Sequence, residues 1–342
     1  MILHDPQTAG LVSSAGAAVI WRCHVGLDHA NERAREAWRF LCPYLLEADA
    51  YVFSRAGFAW EGLPPNRISV IQPSIDVFSP KNGDQMREQS MSILSRAGII
   101  TPHRSAAPAT FTRSDGTPGR VDRRAELLEA IPLTREDRLV AQISRWDRLK
   151  DPMGVLSSFM GHVADHTDAH LLLAGPATDS VADDPEGASV FAAVRAAWHA
   201  APTDARRRVH LAALPMDDAE ENAAIVNALQ RHADVIVQKS LAEGFGLTVA
   251  EAMWKERPVV ASRIGGIQDQ IVDGESGVLI SDPRDLVEFG AAVLGLLNEP
   301  ERAQRIGAAA RARVRAHFLG PHHLGRYFEL IQQLQAAADE AT

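Results

Sequence analysis

The stretch Val237-Gln-Lys-Ser-Leu-Ala-Glu-Gly-Phe-Gly-Leu-Thr-Val-Ala-Glu-Ala-Met-Trp254 decides how the chain is read. It continues an apolar, strand-like run at 234–237 and then passes through a short loop holding Gly244 and Gly246. A helix-forming run follows at 248–255, with Glu243 and Glu251 on either side of its start. A strand, a glycine loop and a helix N-terminus together make an anion site, because free N–H groups and the helix dipole point at one spot. Glycine also lets a ligand approach the backbone closely. The pattern predicts a pocket for a phosphorylated, hydroxyl-rich ligand, with both carboxylates accepting from sugar hydroxyls. Thr248 and Glu251 also have the spacing of a capping box. Glu251 therefore stays open to a purely structural reading, which leaves Glu243 and the two glycines unexplained.

Around this stretch the pattern is regular. Strands are predicted at 139–143, 170–174, 209–212, 234–238, 257–262 and 277–280. Helices are predicted at 152–163, 189–199 and 218–231, with three more at 283–297, 300–317 and 321–336. Apolar strands alternating with helices predict a doubly wound α/β domain with a parallel sheet buried on both faces. Ligands bind beyond the carboxyl ends of such strands. Arg145, Lys150, Lys239, Glu243, Gly265 and Gly266 all follow strand ends, so they are expected to converge on one crevice.

Toward the amino terminus the alternation is shorter, with strands at 1–4, 18–24, 50–53 and 68–71 and a helix at 31–47. The expected organisation is a partial N-terminal Rossmann-like domain at 1–80 and a C-terminal Rossmann-like domain at 81–320. A last helix occupies 321–342. Residues 72–82 read as a connector. Residues 99–124, rich in Pro, Ser, Thr, Gly and Arg, read as a flexible surface insertion.

Arg145 and Lys150 lie in Ser144-Arg-Trp-Asp-Arg-Leu-Lys150, where two cations could meet a diphosphate. Arginine offers paired planar donors and lysine a compact charge. With the helix N-terminus they would stabilise a departing diphosphate. His24, after the strand at 18–24, could hydrogen-bond a sugar hydroxyl or be a satisfied, half-buried histidine. Glu243 and Glu251 could also be cast as the acid and base of a hydrolase. Neighbouring cations favour ionisation of both, which does not suit a general acid. The chain lacks a Walker A sequence and a GxGxxG run, which disfavours ATPase and dinucleotide readings.

The 342 residues carry a net charge of −9, so no basic excess is available for a nucleic-acid backbone. Cys23 and Cys42 are the only cysteines, giving neither a disulfide framework nor a metal pattern. No secretory leader is visible and no apolar run is long enough to span a bilayer. These features predict a cytoplasmic protein without membrane or nucleic-acid partners. An exposed edge on a short N-terminal sheet predicts self-association, with a homodimer as the expected form.

Glu243 and Glu251 with Arg145 and Lys150 resemble the donor site of retaining GT-B glycosyltransferases. The resemblance is closer to the trehalose glycosyltransferring synthases and trehalose phosphorylases. It rests on His4-Asp-Pro-Gln7, Val19-Ile-Trp-Arg-Cys-His24, Pro73-Ser-Ile-Asp76, the stretch 144–152, Asp183-Asp-Pro-Glu-Gly187 and, most specifically, 238–254. It implies a GT-B fold of two Rossmann-like domains, the N-terminal one incomplete here. It also implies transfer of glucose from UDP- or ADP-glucose to glucose, forming trehalose with retention and without a metal or other cofactor. By the same resemblance Arg145 and Lys150 hold the diphosphate and Glu251 the ribose. Glu243 with the backbone of Gly244, Phe245, Gly246 and Leu247 holds the glucose, Lys239 and Thr248 complete the donor site, and His24 lies near the reacting carbon. The final helix crosses back to the N-terminal domain. Relatives begin with a longer N-terminal domain bearing a glycine-rich loop. Two alternatives follow: a trehalose phosphorylase, and a non-catalytic nucleotide-sugar-binding or regulatory subunit.

Overall fold

Runs of Val, Leu, Ile and Ala too apolar for a solvated surface become the strands that organise the chain. A computed structural model describes residues 1–102, 107–178 and 185–340. In the amino-terminal part, β1 (Ile2–His4), β2 (Ile20–Cys23), β3 (Ala50–Phe53) and β4 (Ile68–Val70) form a parallel sheet in the order β1-β2-β3-β4. Side chains alternate across it, as the two-residue period of a strand requires. Trp21, Tyr51 and Phe53 point to one face, against Trp38 and Leu45 of the helix Glu32–Leu45. Asn31 caps that helix, accepting from the Ala34 N–H at 2.9 Å. Ile20, Ala50, Val52 and Ile71 point to the other face, where Leu330 of the helix Gly320–Glu340 packs with Tyr327 and Leu334.

The strands that follow are β5 (Thr110–Thr112), β6 (Pro118–Arg120), β7 (Glu126–Leu128), β8 (Leu139–Ile143), β9 (His170–Pro176), β10 (Val209–Leu214), β11 (Val235–Gln238), β12 (Val259–Ser262) and β13 (Val278–Ile280). Seven of them form one sheet, ordered β13-β12-β11-β8-β9-β10-β7, parallel except for β7, which runs antiparallel along β10. Residues on opposite faces of this sheet enter two separate cores. One holds Leu139, Ala141, Leu172 and Ile236; the other holds Val140, Leu171, Leu173 and Val237. Burial on both faces explains why these strands read as continuous apolar runs. From β8 the chain moves outward to β9 and β10, then returns to place β11 on the other side of β8. The switch point therefore lies between the carboxyl ends of β8 and β11, the place where open α/β sheets bind ligands.

Residues 99–124 do not form the flexible loop expected from composition. In their described part β5 and β6 pair as a hairpin, with Phe111 and Val121 in the core. Arg113 bonds Asp218 at 2.7 Å and Glu220 at 3.0 Å, and Glu221 accepts from the Asp122 and Arg123 N–H groups, both at 2.7 Å. Strands of three residues are too short for a visible period. The helix Arg87–Arg96 fills a segment that composition left unassigned, burying Met91, Ile93 and Leu94. The predicted helix at 152–163 is α-helical over Pro152–Ser158 and then widens to a π turn over Phe159–Val163. Residues 183 and 184 of the quoted stretch 183–187 lie outside the described residues.

Candidate active site

The loops leaving β8 and β11 carry most of the predicted groups. After β8, Asp147 caps a single 3-10 turn, Arg148–Lys150, accepting from the Leu149 N–H at 2.7 Å. Buried Gln142 donates to the Lys150 carbonyl at 2.8 Å, and the Leu241 N–H donates to the Leu149 carbonyl at 2.7 Å. Thus the two loops are tied together by a backbone bond. Lys150 reaches across and pairs with Glu243, whose Oε2 also accepts from the Ser240 hydroxyl at 3.3 Å. Arg145 stays solvent-facing and pairs with Asp147 at 3.1 Å.

Lys239 does not join the crevice. It is wholly buried and pairs with Asp151, which sits at φ 49° and caps the helix Pro152–Ser158 through the Gly154 N–H at 3.0 Å. A buried pair of this kind fixes the loops rather than meeting a ligand. Phe245 likewise turns inward, meeting Phe318 edge-on at 5.8 Å, so only its backbone is available. The capping box is also overturned. Gly246, at φ 82°, is the N-cap of the helix Leu247–Trp254, and no side chain caps it. The helix starts one residue before Thr248, because glycine reaches the left-handed region that turns the loop into the helix. Glu251 consequently faces inward. It is buried, pairs through Oε1 with Lys81 at 2.9 Å, and leaves Oε2 buried without a partner among the described residues. With Lys81, Arg145, Asn222 and Thr248 it lines a cleft of about 240 Å³.

The loops after β11 and β12 interlock. A Cβ on Gly265, at φ 48°, would lie 1.9 Å from the Glu243 carbonyl oxygen, and one on Gly266 would strike Phe245. The Gly266 N–H donates to the Gly244 carbonyl at 2.8 Å. Gln270, fully buried, donates to the Phe245 carbonyl at 2.5 Å. Across the crevice a Cβ on Gly244 would come within 3.3 Å of the His24 carbonyl oxygen. His24 therefore stands against the glycine loop. Its Nε2 lies 2.9 Å from His4 Nδ1, the two rings stack at 7°, and its backbone N–H donates to Asp5 Oδ1 at 2.7 Å. Partial burial and then the Arg22 guanidinium hold its pKa below the usual imidazole value. Sequence reading missed the second bridge. Asp28 accepts from the Gly265 N–H at 2.7 Å and from Gln268 at 3.2 Å, while Arg55 pairs with Asp28 at 3.2 Å and bonds the Gly265 carbonyl.

A family model described as the trehalose synthase N-terminal domain matches residues 1–60, and one for glycosyl transferases group 1 matches residues 219–313. The trehalose synthase of Pyrococcus horikoshii is 32% identical over 337 residues, spanning 98% of this chain and 69% of that protein. The chain belongs to the trehalose synthase family. As a member of that family it is a glycosyltransferase of trehalose metabolism. Its fold is the GT-B fold. Sucrose-phosphate synthase from Thermosynechococcus elongatus shares it with a TM-score of 0.69 at 19% identity, covering 98% of this chain and 73% of that one. An Anabaena protein, HepE, in complex with UDP-glucose shares it at 0.68 and 14% identity, covering 98% of this chain and 78% of that one. None of the helices described in this trehalose synthase relative is long and apolar enough to cross a membrane.

Proposed function

We propose that the chain transfers glucose from a nucleoside diphosphate glucose to free glucose, giving trehalose with retained anomeric configuration. One observation carries the reading: Glu251 lines the cleft at the switch point beside Arg145, with Oε2 buried and unpartnered among the described residues. A buried carboxylate oxygen without a donor is costly, and a ligand hydroxyl would supply that donor. Glu251 would take the ribose, Arg145 and Lys150 the diphosphate, and Glu243 with the backbone of 244–247 the glucose. The acceptor hydroxyl oxygen forms a bond to the anomeric carbon on the face from which the diphosphate leaves. The bond from that carbon to the diphosphate breaks, and the hydroxyl proton passes to the departing phosphate oxygen. Lys150 and Arg145 offset the charge that develops there. Lys150 is already paired with Glu243, so the diphosphate and the carboxylate share one ammonium as the sugar binds. The trehalose synthases to which the chain is similar support the product, and the UDP-glucose complex of the same fold supports the donor class.

The test is incubation of the folded chain with glucose and either UDP-glucose or ADP-glucose. Trehalose and the free nucleoside diphosphate are expected. Absence of trehalose with both donors overturns the reading. Release of glucose 1-phosphate from trehalose and inorganic phosphate, without transfer from either donor, replaces it with a phosphorylase.

A further inference from the structure

The connector between the two sheets ends in Phe78-Ser-Pro-Lys-Asn82, and its backbone is held on both sides of Lys81. The Pro80 and Gly83 carbonyls accept from Asn227, at 3.0 and 2.8 Å. Asn82 is buried; its Oδ1 accepts from Lys255 at 2.9 Å and its carbonyl from the Trp254 indole at 3.2 Å. Ser79 and Asn82 close the turn by donating to the Asp76 carbonyl at 2.8 and 3.0 Å. The Lys81 Cα is thus fixed against the helices Ala219–His232 and Leu247–Trp254. Its ammonium reaches Glu251 Oε1 at 2.9 Å from the rim of the cleft, with the side chain 39% exposed.

The geometry points to Lys81 as a positioning residue for the donor, acting through Glu251 on the ribose of the nucleotide. The inference rests on the proposed transferase reading. Lys81 occupies Oε1 and so fixes the plane of the carboxylate, leaving Oε2 for a ribose hydroxyl. It also balances a buried negative charge that must lie close to an anionic diphosphate. A long side chain on a fixed backbone loses little further freedom in holding this pose.

The experiment compares the unaltered chain, Lys81→Met, Lys81→Arg and Glu251→Gln. It measures calorimetric affinity for the nucleoside diphosphate of the working donor and for its 2′,3′-dideoxy analogue, together with kcat and KM for that donor. Loss of one charged partner predicts about tenfold weaker binding and an equal rise in donor KM for Lys81→Met. Its kcat stays unchanged and its preference for ribose over dideoxyribose disappears. Lys81→Arg restores most of both. Lys81→Met that keeps wild-type affinity and ribose preference, while Glu251→Gln loses them, overturns the role of Lys81 and leaves the transferase reading intact. Failure of the unaltered chain to bind any nucleoside diphosphate sinks the transferase reading itself. A Lys81→Met that loses affinity equally for both nucleotides also overturns the inference, because the loss would not pass through the ribose.

Discussion

On the C-terminal side of the crevice, two glycine loops press together so closely that Gly265 has no room for a Cβ beside the Glu243 carbonyl. On the N-terminal side, His4 and His24 hold each other and Asp5, while Asp28 and Arg55 tie that wall to Gly265. The first wall has its charges already paired, Lys150 with Glu243 and Lys81 with Glu251. The second meets it through a backbone contact at Gly244 and a carboxylate bridge at Gly265. The difference separates two tasks. A preorganised wall fits the binding of a charged donor, and a lightly tethered wall fits the admission and release of a second substrate.

Substitutions can break that contrast at different points. Gly265→Ala should do most damage, forcing the two glycine loops apart at a cost of about 3 kcal/mol and abolishing transfer. Urea unfolding and the trehalose assay would both report it; a variant that unfolds normally and stays active removes the tight wall from the account. Arg145→Ala should leave the unfolding midpoint alone, since the side chain is 68% exposed, yet lower kcat/KM for the donor about a hundredfold. Asp28→Ala frees the Gly265 N–H and Arg55, and should lower kcat/KM about tenfold while donor affinity, read by calorimetry, changes little. Equal losses in both would place Asp28 in the donor wall. Asn31→Ala removes a helix cap in the N-terminal layer and should cost about 1 kcal/mol without touching donor affinity.

The shallowest effect concerns pH and lies outside both walls. Burial, and then neighbouring His210, holds the His170 pKa below its ordinary value, as burial does for His232. The folded chain then binds fewer protons than the unfolded one once pH falls below about 6.5. Stability should be full above that value and lost as pH falls through the folded-state pKa values. The urea midpoint should decline as pH falls below about 6.5, and His170→Asn should flatten the slope. An unchanged slope would assign the decline to other groups.

The long apolar strands β8 to β12 were legible because burial on both faces writes an unbroken apolar run. The strand ends also pointed to the meeting of Lys150, Glu243 and Gly265, which the structure brings together. Short β5, β6 and β7 escaped because three residues give no period; the β5–β6 hairpin is held by Arg113 and Glu221, which look like surface charges in a sequence, and β7 by β10. Lys239 misled for the opposite reason. It follows a strand end as a ligand-binding lysine would, and only the fold shows Asp151 beside it. The partners Lys81 and Glu251, or Asp28 and Gly265, lie far apart along the chain, so no local pattern could join them.

The helix Gly320–Glu340 carries a consequence for how the chain is made. Ile20, Ala50, Val52 and Ile71 leave the ribosome well before Leu330, which packs over them. The sheet β1 to β4 can therefore pair its strands early but must wait with one oily face uncovered until Leu330 has been made. Stalling before residue 320 should yield a nascent chain that chaperones hold, and synthesis through the helix Gly320–Glu340 should free it.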